Sequence, residues 1–324
     1  MHFIDLHCDT LMHTWQEQEG QDIVSNQICS IDLNRLVQAD AYAQFFAIFM
    51  LQKEDFSRIN RPWVDDWTYI HSLVQQLHNG LARQNQVRLT LSYQDLLHNI
   101  ITHKVSAFLT LEDGRPLEGD IHRLDKLYKM GIRLITLTWN FENSLGFPNS
   151  KDPQIMSQGL KDFGFEVVEE MNRLGMIIDV SHLSDGGFFD VIQHSKKPIT
   201  ASHSNARQLA AHPRNLTDEM MRLIADNGGI IGLNFFAQFL SPNPDDNLSR
   251  ISHMVDHLEH MRQVAGMESL ALGSDFDGID CRLEIASCDQ LSLLFQALDR
   301  KGWTGSQIEA FAYGNALRFL QDVL

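Results

Sequence analysis

The sequence predicts an α/β fold, a (β/α)8 TIM barrel, and three observations carry that reading. Eight short apolar runs rich in β-branched residues recur along the chain. Most are near-continuous rather than alternating, as strands buried on both faces of a parallel sheet should be. Segments with helical periodicity lie between them. A doubly wound open sheet has the same local grammar, and it is the number of strands that favours closure into a barrel.

In chain order the strands are expected at residues 3–9, 42–51, 105–112, 133–139, 176–181, 198–202, 229–234 and 270–275. The longest helix is expected over 66–86, where Trp67, Ile70, Leu73, Val74, Leu77 and Leu81 fall on one stripe. Residues 120–130, 157–174, 185–194, 217–227 and 249–264 follow the same logic. Thr304-Gly-Ser-Gln307 fits a capping box that opens a late helix. Three long polar stretches, 52–65, 140–157 and 237–247, each follow a strand. In a barrel they lie on the C-terminal face, as walls of a site or as plain surface insertions.

No shift in composition divides the 324 residues, so residues 1–324 read as a single barrel domain. A net charge of −16 argues against a nucleic-acid partner, which would need a basic patch. Four cysteines without a CxxC pair do not make a disulfide framework. Neither a secretory signal, a run of about 20 apolar residues nor a hydrophobic C-terminal tail is visible, so no membrane partner and a cytoplasmic location are expected.

The chemistry gathers where strands end. In His7-Cys8-Asp9, strand alternation turns the imidazole and the carboxylate to one side and Cys8 to the other. That pair is half of a divalent-metal site, while Cys8 reads as a buried, inert thiol. Glu112, His182, His203 and Asp275 close further apolar runs. Singly, each has a plain reading. Glu112 suits a solvated strand end, and His182 a local hydrogen bond. His203 precedes Ser204-Asn205, which resembles a helix N-cap. Asp275, like Asp277-Gly278, suits a turn. Together, five of the eight strands end in a residue able to bind metal or move a proton, and in a barrel these ends meet at one mouth. Such a set could hold two divalent ions, with an aspartate left for proton transfer. The remaining histidines, including His71, His78, His98, His253, His257 and His260, read mostly as solvated helix-face residues.

The ordered fragments Asp5-Leu-His-Cys-Asp9, Leu111-Glu-Asp-Gly114, Asp179-Val-Ser-His182, Ser202-His-Ser-Asn-Ala-Arg207, His212-Pro-Arg-Asn215 and Gly273-Ser-Asp-Phe-Asp-Gly278 closely resemble the membrane (renal) dipeptidase family of amidohydrolase-like metallohydrolases. Gly314-Asn315-Ala-Leu-Arg318 is similar to that family's C-terminal helix. The resemblance implies a barrel of the metal-dependent hydrolase type carrying two Zn2+ per chain. His7 and Asp9 would hold one ion and His182 and His203 the other, with Glu112 between them. Asp275 would take a proton from the attacking water and pass it to the leaving amine. Arg214 matches the arginine that grips the substrate carboxylate, a role suited to a bidentate guanidinium. Family members commonly form homodimers.

One departure stands out. Where the family typically places a substrate-contacting histidine after the fourth strand, this chain reads Leu137-Thr-Trp139-Asn140. Indole offers only an N–H donor, so Trp139 is expected at the substrate with Asn140, or Asn143 in the following loop, as a partial substitute for the imidazole. The expected function is a dinuclear zinc dipeptidase for small dipeptides, those with a C-terminal D-residue included. The alternatives are a related hydrolase of another small amide or lactone, and a catalytically inactive metal-bound binding protein. Manganese, iron or cobalt would also suit such mixed ligands.

Overall fold

In the computed structural model, which describes residues 1–17, 20–59 and 61–324, eight parallel strands close into a ring. They are β1 (Ile4–Cys8), β2 (Ala43–Phe49), β3 (Val105–Glu112), β4 (Ile132–Thr136), β5 (Ile177–Asp179), β6 (Thr200–Ala201), β7 (Ile230–Leu233) and β8 (Leu270–Leu272). Each pairs with its neighbour in sequence, and β1 pairs with β8. The closed barrel is therefore the outcome, not the open sheet. Seven of the eight strands fall within the apolar runs that announce them, and β4 begins one residue earlier, at Ile132.

Two apolar clusters hold the ring. Ile4, Leu6, Phe45, Phe108, Leu134, Ile177, Ile230 and Ala271 come from nearly every strand and so fill its inside. Ala316, Phe319, Leu320 and Val323 of the C-terminal helix Asn315–Val323 join this cluster. The larger cluster lies between the strands and the outer helices and takes in Phe46, Ile48, Leu109, Leu111 and Ile135. A bulge in β1 between Asp5 and Cys8 lets Leu6 join the inner cluster while Cys8 joins the outer one.

The long helix Asp66–Arg83 buries Tyr69, Ile70, Leu73, Val74 and Leu77, and the Asp65 side chain caps it by accepting from the Thr68 N–H. It ends before residue 86 because Gln84 turns extended and an unanticipated strand, Val87–Leu89, pairs with the first half of β3. Helices His122–Lys129, Asp162–Leu174, Asp185–His194, Asp218–Asp226 and Ile251–Ala265 lie within a few residues of expectation. The capping box at Thr304 and Gln307 is formed.

The three long loops are partly structured. They contain the short helices Lys53–Arg58, Pro153–Met156 and Ala237–Leu240, while Asn60 of the 52–65 stretch lies outside the described residues. Ser204-Asn205 caps no helix, since the next begins at Asp218. Asn205 instead exchanges hydrogen bonds with Asn234, tying the loop after β6 to the end of β7. Among the described residues no helix is long and apolar enough to cross a membrane.

Candidate metal centre

The C-terminal ends of β1, β3, β5, β6 and β8 bring His7, Asp9, Glu112, His182, His203 and Asp275 into one buried group. Glu112 stands at its middle. Its Oε2 lies 3.4 Å from His7 Nε2, and its Oε1 lies 3.0 Å from His182 Nε2 and 3.7 Å from His203 Nε2. On the near side, His7 Nε2 is 3.3 Å from Asp9 Oδ2 and 3.8 Å from Asp275 Oδ1. On the far side the two Nε2 atoms of His182 and His203 are 3.0 Å apart.

Burial out of water and a neighbouring negative charge both raise the pKa of a carboxyl group. Burial, with Asp9 close by, pushes Glu112 up to about 8. Burial likewise pushes Asp275 up to about 7; Asp9 adds to this, while His7, Asn234 and Arg214 oppose it. For His7, burial favours the neutral ring, but Glu112 and Asp9 outweigh it and hold the imidazole well above its usual range. Burial and the Arg214 and His7 charges keep His182 and His203 well below theirs, so both are neutral rings with a lone pair to offer.

The residues fit a divalent cation. Both ring nitrogens of His7 and Asp9 Oδ1 are buried without a hydrogen-bond partner, a costly state for polar atoms. His7, Glu112 and His203, and likewise His7, Asp9 and Asp275, each offer donor atoms within 4.8 Å of one another. Imidazole nitrogens mixed with carboxylate oxygens are ligands for zinc and its first-row neighbours.

The backbone is bent to aim these groups. His182 and Asp275 take left-handed conformations, with φ of 67° and 62°, at a cost on the order of 1–3 kcal/mol each. Asp275 Oδ2 accepts from Asn234 Nδ2 at 2.8 Å. Asp277-Gly278 is more than a turn. The Asp277 carboxylate accepts from Thr10 Oγ1 and the Ser30 N–H, both at 2.6 Å. A Cβ at Gly278 would lie 2.1 Å from Asp9 Oδ2 and 2.6 Å from Asp275 Oδ1. Gly278→Ala therefore drives the two carboxylates out of place. Zinc affinity, read by competition with a chromophoric chelator, should fall by about 10- to 100-fold; wild-type affinity would show that this clearance is not needed.

A cavity of about 300 Å³ opens above the group. Asp9, Glu112, Asn140, His182, Asp275 and Asp280 form its polar part, and Met12, Phe49, Trp139, Phe236, Phe239 and Ile279 its apolar wall. Trp139 meets Phe49 edge-on, with centroids 4.8 Å apart. Asn140 lines the same cavity, but its Oδ1 is engaged by His182 Nδ1 at 3.0 Å. Asn143 cannot be the substitute for the imidazole. Its amide nitrogen donates to Asp113 and to the Leu137 carbonyl, and its Oδ1 accepts from the Leu145 and Gly146 N–H groups.

Arg214 lies behind the wall rather than on it, its guanidinium 5.3 Å over the Phe239 ring. It donates to Ser204 Oγ and to the His203 carbonyl, while Nε is buried and unpartnered. Burial lowers it to about 10, which leaves it charged at neutral pH. Cys8 sits in the outer apolar cluster, and burial pushes its thiol well up. His257 departs from expectation: it is buried, accepting from the Ala206 N–H and facing the Leu240 carbonyl, and so pins two loops to the helix Ile251–Ala265. Its helix-face position hid this, because the groups it satisfies come from elsewhere in the chain.

Comparison with known proteins agrees with this geometry. Residues 1–324 match the membrane dipeptidase family, peptidase family M19, over their whole length. The chain belongs to the membrane dipeptidase family. It is thereby a hydrolase of the metal-dependent dipeptidase class. An uncharacterized protein of the pqqA 5′ region of Klebsiella pneumoniae is 33% identical over 265 residues, covering 79% of this chain and 95% of its own. An uncharacterized dipeptidase of Schizosaccharomyces pombe is 30% identical over 296 residues, 89% of this chain and 70% of its own. Among solved structures, a metallopeptidase of Rhodobacter sphaeroides bound to a phosphinate mimic of L-Ala-D-Ala superposes with a TM-score of 0.88 at 22% identity, covering 100% of this chain and 99% of its own. That likeness speaks to the fold.

Proposed function

We propose that this dipeptidase carries two zinc ions on the His7–Asp9 and His182–His203 halves, with Glu112 shared between them, and cleaves small dipeptides in the cavity above. The observation that carries the reading is Glu112, which turns one carboxylate oxygen to each half. When bound, the ions supply Lewis acidity that lowers the pKa of a water and polarises the peptide carbonyl.

The chain's own groups do the rest. Asp275, steadied at Oδ2 by Asn234, receives the proton of the attacking water at Oδ1 and hands it to the leaving amine. Arg214 attracts the substrate carboxylate, and Asn140 orients the His182 ring. Phe49, Trp139, Phe236 and Phe239 exclude water and receive the side chains of the dipeptide. The whole chain serves as one barrel domain in this work.

A second reading keeps the site but changes the bond, to another small amide or a lactone. It rests on Trp139, which puts an apolar ring where the family resemblance implies an imidazole. A panel of dipeptides with L- and D-residues at the C-terminal position, assayed on zinc-loaded protein beside small lactones, separates the two. Turnover of dipeptides with apolar side chains is expected; inactivity on every dipeptide would overturn the first reading.

A further inference from the structure

Behind the candidate ligands lies a buried carboxylate that the proposed reaction does not use. Asp179, at the end of β5, is fully buried and accepts four hydrogen bonds. Its Oδ1 takes the backbone N–H groups of Ser181, at 3.0 Å, and Ser202, at 2.9 Å. Its Oδ2 takes Thr136 Oγ1 at 2.7 Å and Ser202 Oγ at 2.6 Å. Ser202 Oγ in turn lies 2.8 Å from His203 Nδ1.

We propose that Asp179, acting through the Ser202 hydroxyl, is a positioning residue that fixes His203 as its Nδ1–H tautomer and so presents a bare Nε2 to the metal centre. The logic is a count of protons. A serine hydroxyl has one proton to give. That proton goes to Asp179 Oδ2, 2.6 Å away. Ser202 Oγ can then only accept from His203 Nδ1, which must carry the ring proton of the neutral imidazole. Which ring nitrogen is left bare is set by the bond the other one makes.

The consequence is visible at the other edge of the ring. His203 Nε2 faces His182 Nε2 at 3.0 Å and Glu112 Oε1 at 3.7 Å. His182 Nδ1 rests against Asn140 Oδ1, an acceptor, so His182 is held in the same tautomer. Two bare ring nitrogens then converge on the Glu112 carboxyl, ligand atoms turned to one point where a cation fits. Asp179 also staples β4, β5 and β6 through Thr136, Ser181 and Ser202, and a purely structural role would need nothing more.

The inference rests on His203 being a metal ligand, and the test keeps the two apart. Long-range 1H–15N spectra of the metal-free wild-type protein report the His203 tautomer without any metal bound. Nδ1–H is expected, and Nε2–H would overturn the proposal whatever zinc does. Ser202→Ala leaves Asp179 three of its four donors. It should release His203 toward the Nε2–H tautomer and lower zinc affinity about 10- to 100-fold, with the cooperative thermal transition retained. A Ser202→Ala protein with the Nδ1–H tautomer and wild-type affinity would overturn the proposal. An Nδ1–H wild-type ring in a protein that takes up no zinc would support the positioning and overturn only the metal reading.

Discussion

Glu112→Gln is expected to lose at least one of the two ions and to cut dipeptide hydrolysis by about 10³-fold or more, the scale of removing a charge that organises the reacting centre. The reason is geometric. One carboxylate now turns Oε2 toward His7 and Oε1 toward His182. Glutamine keeps the shape but surrenders the charge, and it places an N–H2 donor toward one half, where a cation should sit. The fold should not suffer. Burial and Asp9 already push Glu112 up to about 8 in the metal-free chain, so its neutral form is tolerated there and glutamine is close to an isostere of it. Thermal unfolding in chelator should therefore be nearly unchanged, while elemental analysis shows the missing metal. A variant that retains both ions and full turnover would remove Glu112 from the centre.

Asp275→Asn is expected to give the opposite split, with metal content kept and turnover down by about 10²-fold or more. Asp275 Oδ1 is 3.8 Å from His7 Nε2, within reach of the group but farther than Asp9 or Glu112. Its Oδ2 is occupied by Asn234 Nδ2. An asparagine can satisfy Asn234 with its own oxygen, which leaves the amide nitrogen on the reacting side, where it can neither take up nor return a proton. The ligands around it stay in place. Single-turnover assays on metal-replete protein separate this effect from a loss of binding. Full activity in Asp275→Asn would refute the proton-transfer role.

These two residues were legible in the sequence for the same physical cause. A carboxylate at the end of a run such as Ala107–Leu111 is expensive to bury unless something pairs with it. Barrel closure then brings every such strand end to one mouth. The supporting residues gave no comparable signal. Asn234 matters because of Asp275, far along the chain, Gly278 because of the distant Asp9 as well as the nearby Asp275, and Asp179 works through Ser202, just past the end of the neighbouring strand. Asp179 breaks an otherwise apolar run, Met176–Val180, and opens the fragment Asp179-Val-Ser-His182, but neither trace shows what it holds. Strand Val87–Leu89 was too short for periodicity to show, and it buries only Val87 fully. The Trp139 departure was visible, but what surrounds it was not. Asn140 is engaged by His182, Asn143 organises its own loop, and Arg214 sits behind Phe239.

The most direct test is a zinc titration of chelator-stripped protein, with metal content and dipeptide hydrolysis followed together. Activity should be absent without metal and should rise to a plateau at two equivalents per chain. Full hydrolysis by the stripped protein, or a plateau at a single equivalent, would contradict a pair of ions joined through Glu112.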